Sequence, residues 1–546
     1  MEKRANHVSE ATRITRRRFV SLAASGVAAS AVARGFGSEH AVAAATLQEP
    51  KAGGSLRVVY AEEPKNLHPQ IDSGTEGVYV QMQMYDSLLN LGPNGEFVPG
   101  LATEMPEQPD ESTYLFRLRQ GVTFHNGKPF TADDVVWTFD RLLGKIPELD
   151  STQAARFAAQ IDRVEKTDDY TVTFRLKQPW VDFIPLMAGD KYMRIQQKDA
   201  ELENPEAYGQ SVAIGTGPFQ FQEWVKGERL TLVRNDAYWG EPVYLDEIVY
   251  QAIPEEATRM NSLKAGEIDI LLAPALKDLE EFESDPNYQV LAADGGNMKR
   301  LAYNTTQEPF DDVKVRQALY YAIDRQEIVD GIYYGYAAVG QGILPPWNEA
   351  SNPDQTYYPY DPERAQQLLA EAGYDGTPLE FEIVTSDATE YVDLSTLIQA
   401  QLEQVGVRAS ITPLDKSAFT ERTFSQNGTA NPGFQGYVYR LIYGFPTTDY
   451  GWRSYHPDSA LNAYGYNQPG GAKNAEVPPL LDESTRTIDV AAQRELYSRL
   501  SDLIMADAPA VLIAWQQNVL VSRGAVKDLG ITVIHNMPFR QVWLDE

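Results

Sequence analysis

Residues 378–415 read PLEFEIVTSDATEYVDLSTLIQAQLEQVGVRASITPLD. Leu379, Phe381 and Ile383 alternate with polar neighbours, the period of a strand with one buried face. From Tyr391 the period changes. Leu394, Leu397, Ile398, Leu402 and Val405 fall on one side of a 3.6-residue helix, and Gly406 supplies its stop. Val407 begins a second alternating run. Strand, helix and strand within this length require parallel pairing through a right-handed crossover, so the chain is α/β.

The same signals recur outward from this unit. Asp361, Pro362 and Gly373 are the N-cap, first-turn proline and stop of another helix. Thr131 followed by Asp134 is a capping-box arrangement. Asn126-Gly127 suits a tight turn because both residues tolerate positive φ. Leu56, Val58 and Tyr60 lie on one face of a first strand, and Tyr114, Phe116 and Leu118 on one face of another.

The length of 546 residues exceeds one ordinary domain. With 77 acidic against 47 basic residues the formal charge is −30, a surface that repels phosphate backbones and anionic lipids; no nucleic-acid partner is expected. The absence of cysteine excludes disulfides, zinc–thiolate sites, cysteine nucleophiles and a lipid anchor on cysteine.

The first 45 residues read as an export address rather than as fold. Arg16, Arg17 and Phe19, in TRRRFV, resemble the twin-arginine pattern. A mild Ala-, Ser- and Gly-rich segment follows, too short to span a bilayer, and small-residue cleavage sites end at Ala43 and Ala45. Cleavage after Ala45 removes seven basic and three acidic residues and leaves about −34. The rest of the chain holds no other apolar run near the length of a membrane span. A soluble, exported and periplasmic protein is the expectation.

No catalytic constellation is visible. Six histidines are scattered, and none pairs at metal-binding helix spacing. There is no G-x-S-x-G elbow, P-loop or G-x-G-x-x-G. Paired carboxylates, as in an exported glycan or peptide hydrolase, carry no information among so many acids. No cofactor or metal is expected. The thirty tyrosines and eight tryptophans say more, because several stand where strands end, and open α/β sheets bind ligands outside the carboxyl ends of their strands. The stretch LIYGFPTTDYGWRSYHP, residues 441–457, follows one such strand.

A long ordered series of segments resembles one family. VPGLATEMPEQPDESTYLFRLRQGVTFHNGKPFTADDVVWTFDRLL is followed by IGTGPFQFQEW, VRNDAYWGEPVYLDEIVY and PEEATRMNSLKAGEIDI. LAYNTTQEPFDDVKVRQALYYAIDRQEIVDGIYYG, YDPERAQQLLAEAGY and LYSRLSDLIMADAPAVLIAW come next. These segments are similar to the family 5 extracellular solute-binding proteins of ABC importers, the oligopeptide, dipeptide and nickel group, and the resemblance spans roughly residues 53–520. The resemblance implies a periplasmic-binding-protein type II fold, two lobes joined by a hinge plus an inserted extra domain. After the signal at 1–45, domain I would take 46–77, 213–296 and 515–546, domain II 78–212, and domain III 297–514. It further implies a monomer that captures a solute between lobes I and III and delivers it to a membrane permease and its ATPase, with no bond broken.

In peptide-binding members an acid in a Gly-Asp step after the strand end pairs with the ligand's α-ammonium. Here Tyr443 and Gly444 lead to Phe445, where the family usually has tryptophan, and Pro446 or Thr447 replaces the acid. Asp449 is the local substitute, either for an ammonium or a sugar hydroxyl or as a turn cap. Tyr443 and Trp452 are candidates to stack on a ligand or to fill core, and Arg453 to meet a carboxylate or face solvent. His456 alone is weak ground for a nickel chelate. Asn304 and Trp515 match family positions at lobe crossings, and Asp72 and Tyr79 follow the first strand on the lobe I side. A peptide-like solute is the first expectation, an oligosaccharide or metal chelate the alternative.

Overall fold

The computed structural model describes residues 49–71, 74–92, 95–149, 151, 153–424, 433–442, 450–459, 461–531 and 537–545. Its largest sheet is built from Ser55–Tyr60 (β1), Phe219–Val225 (β2), Arg229–Arg234 (β3), Glu247–Ala252 (β4), Ile270–Leu272 (β5), Tyr288–Tyr303 (β6), Ala337–Val339 (β7), Leu379–Ser386 (β8), Val407–Leu414 (β9), Gly436–Ile442 (β10) and Ala510–Arg523 (β11). The strand order is β9-β8-β10-β6-β11-β5-β1-β4-β3-β2, with β7 paired to β11.

The crossover unit forms as its periodicity requires. β8 and β9 are parallel from Leu379↔Val407 to Ser386↔Leu414. The helix Thr389–Glu403 covers them, with Leu394, Ile398 and Leu402 fully buried. Asp361 caps Pro362–Leu369 by accepting the Arg364 amide at 2.9 Å. Asp134 accepts the Thr131 amide at 2.8 Å, and Gly127 has φ +80 in its turn.

The apolar core is divided. One cluster draws on residues from Met298 to Trp515, around β8, β9, β10 and the distal half of β6. A second joins β1, β3, β4 and β5 to residues near the C-terminus such as Phe539 and Val542. A third, between Leu88 and Ile195, encloses a separate antiparallel sheet of Glu107–Asp110, Thr113–Arg117, Ile161–Asp168 and Thr171–Leu176. We call the β1 side lobe I and the β8 side lobe III.

Two long strands carry the chain from one lobe to the other. β6 and β11 pair from Tyr288↔Arg523 to Ala293↔Asn518, and resume at Asn297↔Gln516. Between these points Asp294, Gly295 and Gly296 oppose Gln517 alone, a bulge that bends the ladder where the lobes meet. A Cβ on Gly295 would sit 2.2 Å from the Gln516 carbonyl oxygen, so glycine is the residue that fits. Gly295→Ala is therefore expected to cost about 1–3 kcal/mol, read as a lower midpoint in chemical denaturation, because backbone rather than a flexible side chain must move.

Candidate functional site

The parallel strands of each lobe end at the same gap. On the lobe III side β8 ends at Ser386, and the next helix places Glu390 and Tyr391 in its first turn. β9 ends at Leu414; Asp415 caps the following helix by accepting the Ser417 and Ala418 amides, which brings Lys416 to the rim. Near the end of β10 stands Arg440. On the lobe I side β1 ends at Tyr60, followed by Glu62 and Glu63, and the helix Gly74–Met84 presents Glu76 and Tyr79.

The charges on the two walls are opposite. Lys416 Nζ lies 4.0 Å from Glu62 Oε2 across the gap, both groups well exposed. Burial raises the Glu76 pKa, nearby Glu62 raises it further, and Lys416 and Arg440 pull it back. Burial also raises the Tyr79 phenol, again with Arg440 opposing, so Arg440 of lobe III acts on Glu76 and Tyr79 of lobe I.

Behind Arg440 lies a second cation. Lys299 on β6 is directly opposite Arg440 on β10 and is completely buried. Its ammonium is 2.5 Å from Glu390 Oε1 and 4.8 Å from the centre of the Tyr391 ring. Burial pulls its pKa down to about 8, with Glu390 opposing and Arg440 reinforcing the shift. Tyr439 and Tyr391 pack together at 4.7 Å, and Phe419 lies 4.6 Å from Tyr439, an aromatic flank beside the charges.

Of the residues singled out from sequence, Tyr79 stands on the lobe I wall, its ring buried. Trp515 is at the crossing, where it pairs with Met298 and Ala338, and its side chain is buried in lobe III. Asn304 is placed differently from the expectation of a cleft-facing residue. It follows the distal end of β6 and is fully buried; its amide donates to the Phe434 carbonyl and its oxygen accepts from Thr306. Trp452 stacks on His456 at 4.5 Å and donates to Asp482 at 2.9 Å; Arg453 follows it on the helix Tyr450–Tyr455. His456 is held by that stack and accepts the Asp458 amide at 3.2 Å. Asp72, Tyr443, Phe445, Asp449 and the export residues Arg16, Arg17 and Phe19 lie outside the described residues.

Glu76, Lys299, Glu390, Lys416 and Arg440 were not anticipated. The signal was present: NMKRLAY and YVYRLI each set a cation inside an apolar strand run, where an unpaired charge is costly.

Comparison with known proteins agrees with this architecture. Residues 96–463 match the model of the bacterial extracellular solute-binding proteins, family 5. Heme-binding protein A of Haemophilus influenzae is 29% identical over 503 residues, covering 85% of this chain and 88% of that protein. The dipeptide-binding protein of Escherichia coli is 28% identical, covering 84% and 89%. Among solved structures, the periplasmic binding protein DppA from Helicobacter pylori in complex with peptide STSA superposes with a TM-score of 0.78 at 27% identity, over 91% of this chain and 99% of that one. A family match across two-thirds of the length, with both halves of a type II periplasmic-binding-protein fold in place, settles the assignment: this chain belongs to the family 5 bacterial extracellular solute-binding proteins.

Proposed function

We propose that this chain is the substrate-binding component of an ABC importer and captures a peptide-like solute between lobes I and III. The observation that carries the reading is the pair of facing walls, acidic on lobe I at Glu62, Glu63 and Glu76 and cationic on lobe III at Lys416, Arg440 and Lys299. A solute with charge of both signs satisfies both walls at once, and only in the closed state. Its differential affinity then shifts the lobes toward closure, the form a permease receives. Asp72, Tyr443, Phe445 and Asp449, candidates on sequence alone, remain proposed ligand contacts in this reading. The N-terminal segment with Arg16, Arg17 and Phe19 directs export by the twin-arginine route, and the protein works as a monomer with a permease and ATPase.

Relatives named for peptides support the peptide class, among them the Escherichia coli and Helicobacter pylori proteins. A thermal-shift screen of residues 46–546 with the tetrapeptide Ser-Thr-Ser-Ala, a maltooligosaccharide and a nickel–histidine chelate tests it. A peptide at 100 times its Kd adds roughly 2.7 kcal/mol of stability. Stabilisation by the sugar or the chelate alone, with peptides silent, overturns the peptide assignment while leaving the importer role.

A further inference from the structure

We propose that a small polar cavity between lobe I and the Leu88–Ile195 cluster is a binding site for hydrogen phosphate, independent of whatever solute the gap between lobes I and III holds. The cavity adjoins the C-terminal end of the helix Gly74–Met84, the end opposite Glu76. It measures about 50 Å³. One water needs about 10–15 Å³ of such space, so there is room for a tetrahedral oxyanion or several waters. Its charged lining residues are Asp86, Arg194 and Arg540, from three distant segments that the backbone locks together. Ser87 and Arg194 pair as an antiparallel bridge, and the Ile195 amide donates to the Asp86 carbonyl at 2.9 Å. Gln83 holds the C-terminal segment that brings Arg540: its Nε2 donates to the Met537 carbonyl and its Oε1 accepts the Phe539 amide, both at 2.9 Å. Tyr238 adds a phenol to the lining, in a turn closed by its amide on the Asn235 carbonyl at 3.0 Å.

The polar groups around this cavity are only partly used. Asp86 is 7% exposed. Its Oδ2 accepts from Thr216 Oγ1 at 2.9 Å and from Trp239 Nε1 at 3.0 Å, while Oδ1 accepts no hydrogen bond among the described residues. Arg194 is 5% exposed, and its Nη1 donates to Gln81 Oε1 at 3.0 Å and, at 3.5 Å, to the Val78 carbonyl. No carboxylate among the described residues forms an ion pair with Arg194 or Arg540; Arg540 acts on Asp86 and Tyr238 through its field. Behind the lining, Asp190 acts on Arg194 and Arg119 on Tyr238, one charge of each sign. The adjoining segments outside the described residues, 93–94 and 532–536, contain no acid. Two guanidiniums against one carboxylate thus leave a local positive excess in a chain of formal charge −30. The excess selects an anion, and Asp86 selects among anions. Burial raises the Asp86 pKa, against the pull of Thr216, Trp239 and Arg540. A fully ionised oxyanion such as sulfate would set lone pairs against Oδ1. Hydrogen phosphate brings a P–OH that donates to Oδ1, while its other oxygens accept from Arg194 and Arg540.

Calorimetric titration of sodium phosphate and of sodium sulfate into the protein, in a phosphate-free buffer at pH 8 and constant ionic strength, tests the site. Wild type is expected to bind phosphate roughly 10-fold or more tightly than sulfate, the strength of a hydrogen bond to a charged group. Arg540 is only half-buried, so Arg540→Gln should leave the fold intact and weaken phosphate roughly 10-fold or more. Asp86→Asn supplies a donor where wild type has only an acceptor, and should bring phosphate and sulfate to similar affinity. If Asp86→Asn fails to fold, the selectivity of wild type and the response of Arg540→Gln decide the matter. Absence of phosphate binding by wild type overturns the site and means that water alone meets these charges. Equal binding of phosphate and sulfate, or a phosphate affinity unmoved by Arg540→Gln, overturns it as well. A folded Asp86→Asn that keeps the full preference for phosphate overturns the role of Asp86.

Discussion

Arg141→Met is expected to lower the unfolding free energy by about 3–5 kcal/mol, because it strands a buried carboxylate. Arg141 Nε donates to Glu201 Oε2 at 2.8 Å and Nη2 to Oε1 at 2.9 Å, with both side chains buried. His68 completes the group. Its Nδ1 accepts the Gln70 amide at 3.0 Å, and its Nε2 lies 3.0 Å from Glu201 Oε2. These contacts hold the loop between β1 and the helix that bears Glu76 and Tyr79: Gln70 donates to the Thr138 and Tyr192 carbonyls, and Gln81 to that of His68. The loss should appear in guanidinium denaturation. Arg141→Met combined with Glu201→Leu should recover most of it, since replacing a whole buried pair with apolar groups is often neutral.

The same group sets an acid dependence. Burial would raise the Glu201 pKa, but Arg141 and His68 outweigh it and hold the carboxyl at about 2, below the unfolded value of 4.5. A depressed carboxyl stabilises the fold above the unfolded pKa, and that contribution fades as pH falls from about 4.5 toward 2. Burial depresses His68 as well, so its neutral form favours the fold above 6.5 and is lost on the same acid side. Wild type should therefore lose stability steadily on acidification, and Arg141→Met should show a shallower decline below about pH 4.5. A parallel decline in both proteins would mean that Glu201 is not held down by Arg141.

The contrast between what was legible in the sequence and what was not follows from range. The crossover at 378–415, the Asp361 cap and the Thr131 capping box depend on contacts within a few residues, and each formed as its spacing requires. The apolar faces of 114–118 and 394–405 were likewise readable, because burial follows a fixed period. The candidate site depends on register between distant strands. Lys299 and Arg440 become neighbours only because β6 pairs with β10 at that offset, which neither local sequence encodes. Asn304 shows the reverse failure: a polar residue at a family position looks like a ligand contact until its side chain is found closing a turn with Thr306.

Asp269→Asn is expected to cost about 3 kcal/mol and to act on the crossing between lobes. Asp269 is fully buried just before β5, where β1 and β11 flank it. Its Oδ2 accepts from the Arg57 amide and from Arg57 Nε, both at 2.9 Å; Oδ1 accepts from Arg57 Nη2 at 2.7 Å and from Arg523 Nη1 at 2.9 Å. An asparagine supplies one acceptor oxygen and turns an amide toward two guanidiniums, so at least one arginine loses its partner. About a third of each arginine side chain is exposed, and water recovers part of that loss, which keeps the expected cost below that of a fully buried triad. Arg523 is the last residue of β11, and its pairing with Tyr288 begins the two-strand crossing that reaches the bulge at Gly295. Asp269 is thus the staple that fixes the lobe I end of the crossing strand. Hydrogen exchange of wild type and Asp269→Asn separates this role from plain destabilisation. If Asp269 anchors the crossing, amides of β11 near Val519 to Arg523 lose protection more than those of the distant β8–β9 pair. Uniform loss across both lobes would mean the staple supports lobe I as a whole and leaves the crossing untouched.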